Sequence, residues 1–231
     1  MYIKTINWPS IQILLNAQGY ALIPGFLFKE DSNALAGMYK DPTLYRNVIN
    51  MQRYRFGKGE YKYFKYPLPS MIQTLREELY SPLAAIANGW MQQLSIETRF
   101  PMKHKDLLEQ CKAHDQIRPT PLILNYQAGG YNTLHQDLYG EIYFPFQVLF
   151  MLSQKGTDYE GGEFVLTEQV PRAQSKAVVI APNQGDAIIF TTNFRPAKGS
   201  RGYYRANMKH GISEVKSGER YALGIIFHDA T

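Results

Sequence analysis

The chain has 231 residues, a single cysteine and a formal net charge of +5, with 45% hydrophobic and 19% charged residues. That length buries a full core without covalent staples, and a lone Cys111 excludes an internal disulfide framework. No apolar run approaches the roughly 20 residues of a membrane span and no secretory signal opens the chain, so a cytoplasmic protein with no membrane contact is expected.

In chain order, Pro9 to Ala17 reads as a short amphipathic helix and GYALIPGFL as a strand. Asp31 to Tyr39 reads as a second helix, with Asp31 or Ser32 available as its cap. Pro69 to Leu94 carries apolar residues at helical spacing, with Pro82 expected to break it in two. A further helix covers Lys103 to His114 and takes Cys111 into the core as a small apolar residue. After Arg118 the pattern changes to short, β-branched segments: LILNYQ, FQVLFMLS, GEFVLTEQ, KAVVIAP, DAIIFTT, ANMKHGI and RYALGIIF. Clusters such as AGGYN, TDYEGG, PNQGD and PAKGS separate them. The expected fold is α+β with a mainly β core, a jelly roll of about eight strands with the N-terminal helices packed outside. Residues 1–117 form its mostly helical supporting region with one early strand, and 118–231 its core, in one integrated domain. Oligomeric state is not legible.

Two His-x-Asp triplets occur. His104 and Asp106 fall on a helix, where residues two apart diverge, so that pair is rejected as a metal site. His135 and Asp137 lie at a strand end, where alternate residues share a face and can meet one ion. His210, in the strand-like ANMKHGISEV, supplies a third ligand. Two histidines and a carboxylate on one face of an octahedral ion leave positions open, the usual arrangement for non-haem iron(II). The competing reading makes His135 a hydrogen-bonded core histidine and Asp137 a turn former. Arg220 favours the metal: it opens the last strand, and Ala222 and Gly224 on its face leave a slot for a small dicarboxylate clamped by the guanidinium. His114 and His228 are expected to be structural.

These motifs resemble, in order, those of the 2-oxoglutarate/iron(II) dioxygenase superfamily over about Pro121 to Phe227. Tyr126 precedes the H-x-D, YEGGEF and GDAIIF follow, and His210 and the G-x-R-Y of Gly218 to Tyr221 complete the set. The resemblance implies a double-stranded β-helix, iron(II) on His135, Asp137 and His210, and 2-oxoglutarate held by Arg220, Tyr126 and Asn125. Dioxygen is then the second cosubstrate and ascorbate a candidate reductant. It further implies hydroxylation rather than halogenation, because related halogenases lack the carboxylate that Asp137 supplies. GGEF and G-x-R-Y are most similar to the prolyl-hydroxylase branch, and NYQAGGYNTLHQD to the branch that repairs alkylated nucleic acid. ALGIIFHD lacks the second arginine of that repair branch. The whole chain resembles a bacterial family labelled a DNA-damage oxygenase.

Two segments are candidates for substrate contact. In RYRFGKGEYKYFKY, basic and aromatic residues including Arg55 and Tyr61 interleave, a pattern that can stack bases and neutralise phosphates. A plain β-hairpin turning at Gly57 to Gly59 gives the same letters. FRPAKGSRGYYRANMKH reads as a basic loop, with Arg195, Lys198, Arg201, Arg205 and Lys209 leading to His210, and Tyr139 follows the metal motif. The leading expectation is hydroxylation or oxidative dealkylation of a nucleic-acid base with release of succinate and carbon dioxide. The rivals are a hydroxylase of a peptidyl or free amino acid, and a cupin-like barrel that binds without turnover.

Overall fold

The computed structural model describes residues 6–138, 140–169 and 174–231. Helix α1 (Trp8–Gln18) starts on Asn7, whose side chain accepts from Ser10 N, and ends on left-handed Gly19. It leads into β1 (Tyr20–Ile23). Helix α2 (Lys29–Gly37) has no side-chain cap: Asp31 lies in its first turn and Ser32 bonds back to the Phe28 carbonyl, so neither capping residue acts as expected. Then follow β2 (Tyr45–Asn50), β3 (Gly57–Lys58) and β4 (Glu60–Phe64). Helix α3 (Ser70–Gln93) is continuous through Pro82. Glu78, whose carbonyl the proline leaves without an amide, lies on the exposed side, while Leu75, Leu79, Leu83, Ile86 and Trp90 keep the opposite stripe buried on both sides of it. Helix α4 (His104–Ala113) buries Cys111.

The remaining strands are β5 (Leu122–Gln127), β6 (Tyr131–His135), β7 (Phe146–Met151), β8 (Tyr159–Gly161), β9 (Phe164–Gln169), β10 (Lys176–Ile180), β11 (Ala187–Thr191), β12 (Phe194–Gly199), β13 (Gly202–Ile212) and β14 (Val215–Ile226). Among the described residues they form two antiparallel sheets. The major sheet has the order β1-β11-β7-β14-β5-β4-β2, with β8 also on β14; the minor has β10-β9-β13-β6-β3, with β12 on β13. The first half thus gives four strands where its sequence suggested one early strand and, as one reading of RYRFGKGEYKYFKY, a hairpin. RYRFGKGEYKYFKY is not a self-paired hairpin: β3 joins β6 in the minor sheet and β4 joins β2 and β5 in the major one, so the segment crosses between sheets. The basic stretch before His210 is likewise no loop but a hairpin of β12 and β13.

Strand alternation sorts the core. On β14, Leu223 and Ile225 face the cluster shared with α3, whereas Ala222 faces a second cluster between the sheets, with Tyr126, Leu149 and Phe164. Arg76 of α3 ties helix to sheet. It is fully buried and donates to the carbonyls of Ile226 (2.9 Å) and Phe227 (3.0 Å), to Tyr66 (2.9 Å) and to Asp229 (2.7 Å). No described helix is long and apolar enough to cross a membrane.

Candidate active site

A cavity of about 230 Å³ opens between the sheets. His135 closes β6, Asp137 follows in the next turn, and His210 lies directly across from His135 on β13. Between these strands one residue of β13, Gly211, opposes two of β6, Thr133 and Leu134, since His210 pairs with His135 and Ile212 with Asn132. This β-bulge bends β6 just before the histidine, a common device for re-aiming a side chain. The turn is pinned by Gln136, whose amide donates to the Asn193 and Met208 carbonyls, each at 2.8 Å.

The three side chains converge. His135 Nε2 is 3.3 Å from Asp137 Oδ1, His210 Nε2 is 3.3 Å from Oδ2, and one ligand atom from each residue lies within 4.8 Å of the others. His135 Nδ1 lies 2.7 Å from the Thr133 carbonyl, which fixes Nδ1 as the protonated nitrogen and leaves Nε2 free to ligate. Burial alone would raise the Asp137 carboxyl, but the hydrogen bonds and charges of both imidazoles outweigh it and hold Asp137 well below the usual carboxylate range. Burial opposes charge on His135, yet its hydrogen bond and attraction to Asp137 raise it overall. His210 is lowered by burial and by His135. An ionised carboxylate between two imidazoles is the donor set of a divalent transition metal, and the residues fit iron(II).

Arg220, on β14, pairs across the ladder with Tyr126 on β5. It is fully buried, and none of its three guanidinium nitrogens makes a well-formed hydrogen bond. Its guanidinium carbon stands 5.7 Å from the Tyr126 ring and 5.9 Å from the Tyr159 ring, and the Tyr126 hydroxyl is also buried without a well-formed bond. Burial pulls the guanidinium below its ordinary value while both tyrosines oppose that. A buried cation and a phenol, neither with a well-formed bond, fit a small carboxylate. Gly162 of the GGEF motif makes room for this cation. A Cβ there would stand 2.9 Å from Arg220 Cδ, and its φ of +61° favours glycine in any case. Ala222 is buried on the same face and Gly224 lines the cavity, as the slot requires.

The other expected residues divide. Tyr61 lines the cavity with Tyr63 and Phe56, and Tyr61 and Tyr63 meet edge to face at 5.4 Å. Asn125 is not brought to the cavity; it alternates away from Tyr126 and donates to Glu219 at 2.9 Å on the sheet's outer face. Arg55 and Arg201 are exposed and do not line the cavity, and Tyr139 lies outside the described residues. Arg195 is committed to Glu168 in a two-pronged ion pair, with both bonds at 2.9 Å. His228 accepts from Phe144 N at 3.1 Å and His114 lies 3.1 Å from Glu141, both away from the triad. His104, from the rejected triplet, is buried against the Phe227 carbonyl. Gln147 carried no signal of its own, yet it lines the cavity and donates to Asp137 Oδ2 at 3.0 Å.

A triad of this composition, with its histidines on neighbouring strands of an antiparallel jelly roll and its carboxylate just beyond one of them, defines a non-haem iron oxygenase. The chain belongs to the oxygenase family described as "Oxygenase, catalysing oxidative methylation of damaged DNA", whose model matches residues 59–230. An uncharacterized protein of Mycobacterium tuberculosis strain H37Rv is 47% identical over 167 residues, covering 72% of each chain. Among solved structures the chain is similar to a Pseudomonas putida prolyl-4-hydroxylase, with 13% identity, a TM-score of 0.59 and coverage of 97% of this chain and 99% of that one. It is also similar to an oxidoreductase of the 2OG-Fe(II) oxygenase family from Burkholderia pseudomallei, with 15% identity, a TM-score of 0.58 and coverage of 97% and 91%. At these identities the two structures speak for the fold.

Proposed function

We propose that the chain uses iron(II), 2-oxoglutarate and dioxygen to hydroxylate or oxidatively dealkylate a nucleic-acid base held out of any duplex. His135, Asp137 and His210 would hold the iron, and Arg220 with Tyr126 the far carboxylate of 2-oxoglutarate. The observation that carries the chemistry is Arg220, a fully buried cation on the inner face of β14 whose guanidinium makes no well-formed hydrogen bond. Bound together, the metal and cosubstrate supply oxidising power, with 2-oxoglutarate and dioxygen converted to succinate, carbon dioxide and one oxygen atom placed on the substrate. The protein's part is orientation and exclusion of water. Arg220 neutralises the cosubstrate's charge, Thr133 sets the His135 tautomer, and Leu122, Leu124, Val148 and Ile226 give the cavity an apolar wall.

The base reading is supported by the family's description and by the mouth of the cavity. Phe56 lines the cavity while remaining 46% exposed, and it stacks on Tyr54, 55% exposed, with centroids 5.6 Å apart and planes 18° from parallel. Arg53, Arg55 and Lys58 flank this pair and are exposed. Exposed stacked rings among cations suit bases and phosphates of a single strand. The same apolar wall also suits a prolyl ring, which keeps a peptidyl or free amino acid as the second reading. Succinate is measured with a methylated single-stranded oligonucleotide and, separately, with a proline-containing peptide. The proposal expects stimulation by the oligonucleotide and loss of it in a Tyr54→Ala/Phe56→Ala variant. Stimulation by the peptide alone transfers the site to amino-acid hydroxylation.

A further inference from the structure

We propose that Gln147 is a positioning residue for the metal, acting through Asp137; the inference rests on the triad being the metal site. Strand β7 reads FQVLFM and is buried at every position, and Gln147 is the one polar residue in it, 5% exposed. Burying an amide in an apolar strand is unfavourable unless its hydrogen bonds are made. Gln147 sits at the centre of the major sheet, paired with Phe190 on one side and Ile226 on the other, and it points across the cavity to the minor sheet's metal turn. Its amide nitrogen donates to Asp137 Oδ2 at 3.0 Å. Chemistry dictates that orientation, since an ionised carboxylate accepts only from the N–H side of the amide.

The contact has a consequence for metal binding. Asp137 lies two residues beyond the end of β6, outside the ladder, so side chains rather than strand geometry orient its carboxylate: the two imidazoles and the Gln147 amide. Gln147 donates to it from the opposite sheet: Oδ2 takes the amide as well as facing His210, while Oδ1 faces His135. A ligand carboxylate held before the ion arrives loses less freedom on binding it, which is why partners of metal ligands influence affinity nearly as much as the ligands. The glutamine also ties one sheet to the other at the metal, so that the separation of the sheets sets the ligand position.

The test is Zn(II) affinity of metal-free protein by competition with a chromogenic chelator, a probe two imidazoles still bind when the carboxylate is gone. Gln147→Met keeps the volume and removes the donor; Gln147→Asn keeps the amide and withdraws it by one methylene. Both are expected to weaken Zn(II) binding by roughly 10- to 100-fold, with Gln147→Met leaving the thermal midpoint of the metal-free protein unchanged or raised. In an Asp137→Ala background, Gln147→Met is expected to cause no further loss, because its effect runs through the missing carboxylate. Wild-type affinity in Gln147→Met, or an equal loss with and without Asp137, overturns the proposal alone. A wild-type protein that takes up no Zn(II) overturns the metal site as well.

Discussion

Arg76 and Arg220 are both fully buried, yet Arg76 spends its donors on Tyr66, Asp229 and two backbone carbonyls while Arg220 forms no well-made bond. Arg76 serves the fold, and the proposed role of Arg220 is to hold a ligand. Arg76→Met leaves Asp229 buried without its cation and is expected to destabilise the protein by about 3–5 kcal/mol, read by urea unfolding. Arg220→Met removes an uncompensated charge and is expected to leave the thermal midpoint unchanged or raised. Calorimetric binding of 2-oxoglutarate to the Zn(II)-loaded Arg220→Met variant is expected to weaken by roughly 10- to 100-fold or more. Equal stability losses in the two variants would contradict this division.

Gly162 offers a way to test the proposed role of Arg220 apart from the metal. Gly162→Ala places a methyl 2.9 Å from both Arg220 Cδ and Val215 Cγ2 at a left-handed φ. The backbone strain alone is about 1–2 kcal/mol. Affinity for 2-oxoglutarate is expected to fall while Zn(II) affinity stays near wild type, because nothing in the triad touches Gly162. A parallel loss of both would show that the variant disturbs the barrel rather than Arg220.

Acid sensitivity has an identifiable source in His104. Burial, and then the charge of Arg76, push its pKa down from 6.5 to about 4. The folded protein therefore keeps His104 neutral where the unfolded chain takes up a proton, so stability is lost as pH falls from 6.5 towards 4. The difference is worth about 3 kcal/mol at the bottom of that window. His104→Gln, which can still donate to the Phe227 carbonyl, is expected to show a shallower decline in unfolding free energy between pH 7 and pH 4.5. Metal-free protein is used for both, so the triad contributes equally. An unchanged slope would remove His104 as the cause.

Much of the site was legible because its signals are local. His135 and Asp137 share a strand-end spacing that only a metal or a turn explains, and Arg220, Ala222 and Gly224 follow strand alternation to one face. The same alternation should have separated Asn125 from Tyr126, since adjacent strand residues point to opposite faces; the family pattern placed both on the cosubstrate. Gln147 left no trace, because a lone glutamine in an apolar strand has no spacing to read and its meaning comes from the opposite sheet. The strands β3 and β4 were hidden by partners far along the chain, β6 and β5, and β2 by depending on β4 for its pairing. Pro82 misled because propensity predicts a break, whereas packing on both sides of the proline keeps α3 in one piece. The glycines and the proline of the β12–β13 hairpin read as loop punctuation, yet Pro196 sits in an edge strand, where no ladder bond is lost.

The most direct test of the account measures succinate formed by purified protein given iron(II), ascorbate and 2-oxoglutarate under air, beside Asp137→Ala and Arg220→Met. Wild-type protein is expected to form succinate slowly without added substrate, and both variants to lose that activity. Iron-loaded wild-type protein that forms no succinate, or variants that form as much as the wild type, would contradict the account and leave a barrel that binds without turnover.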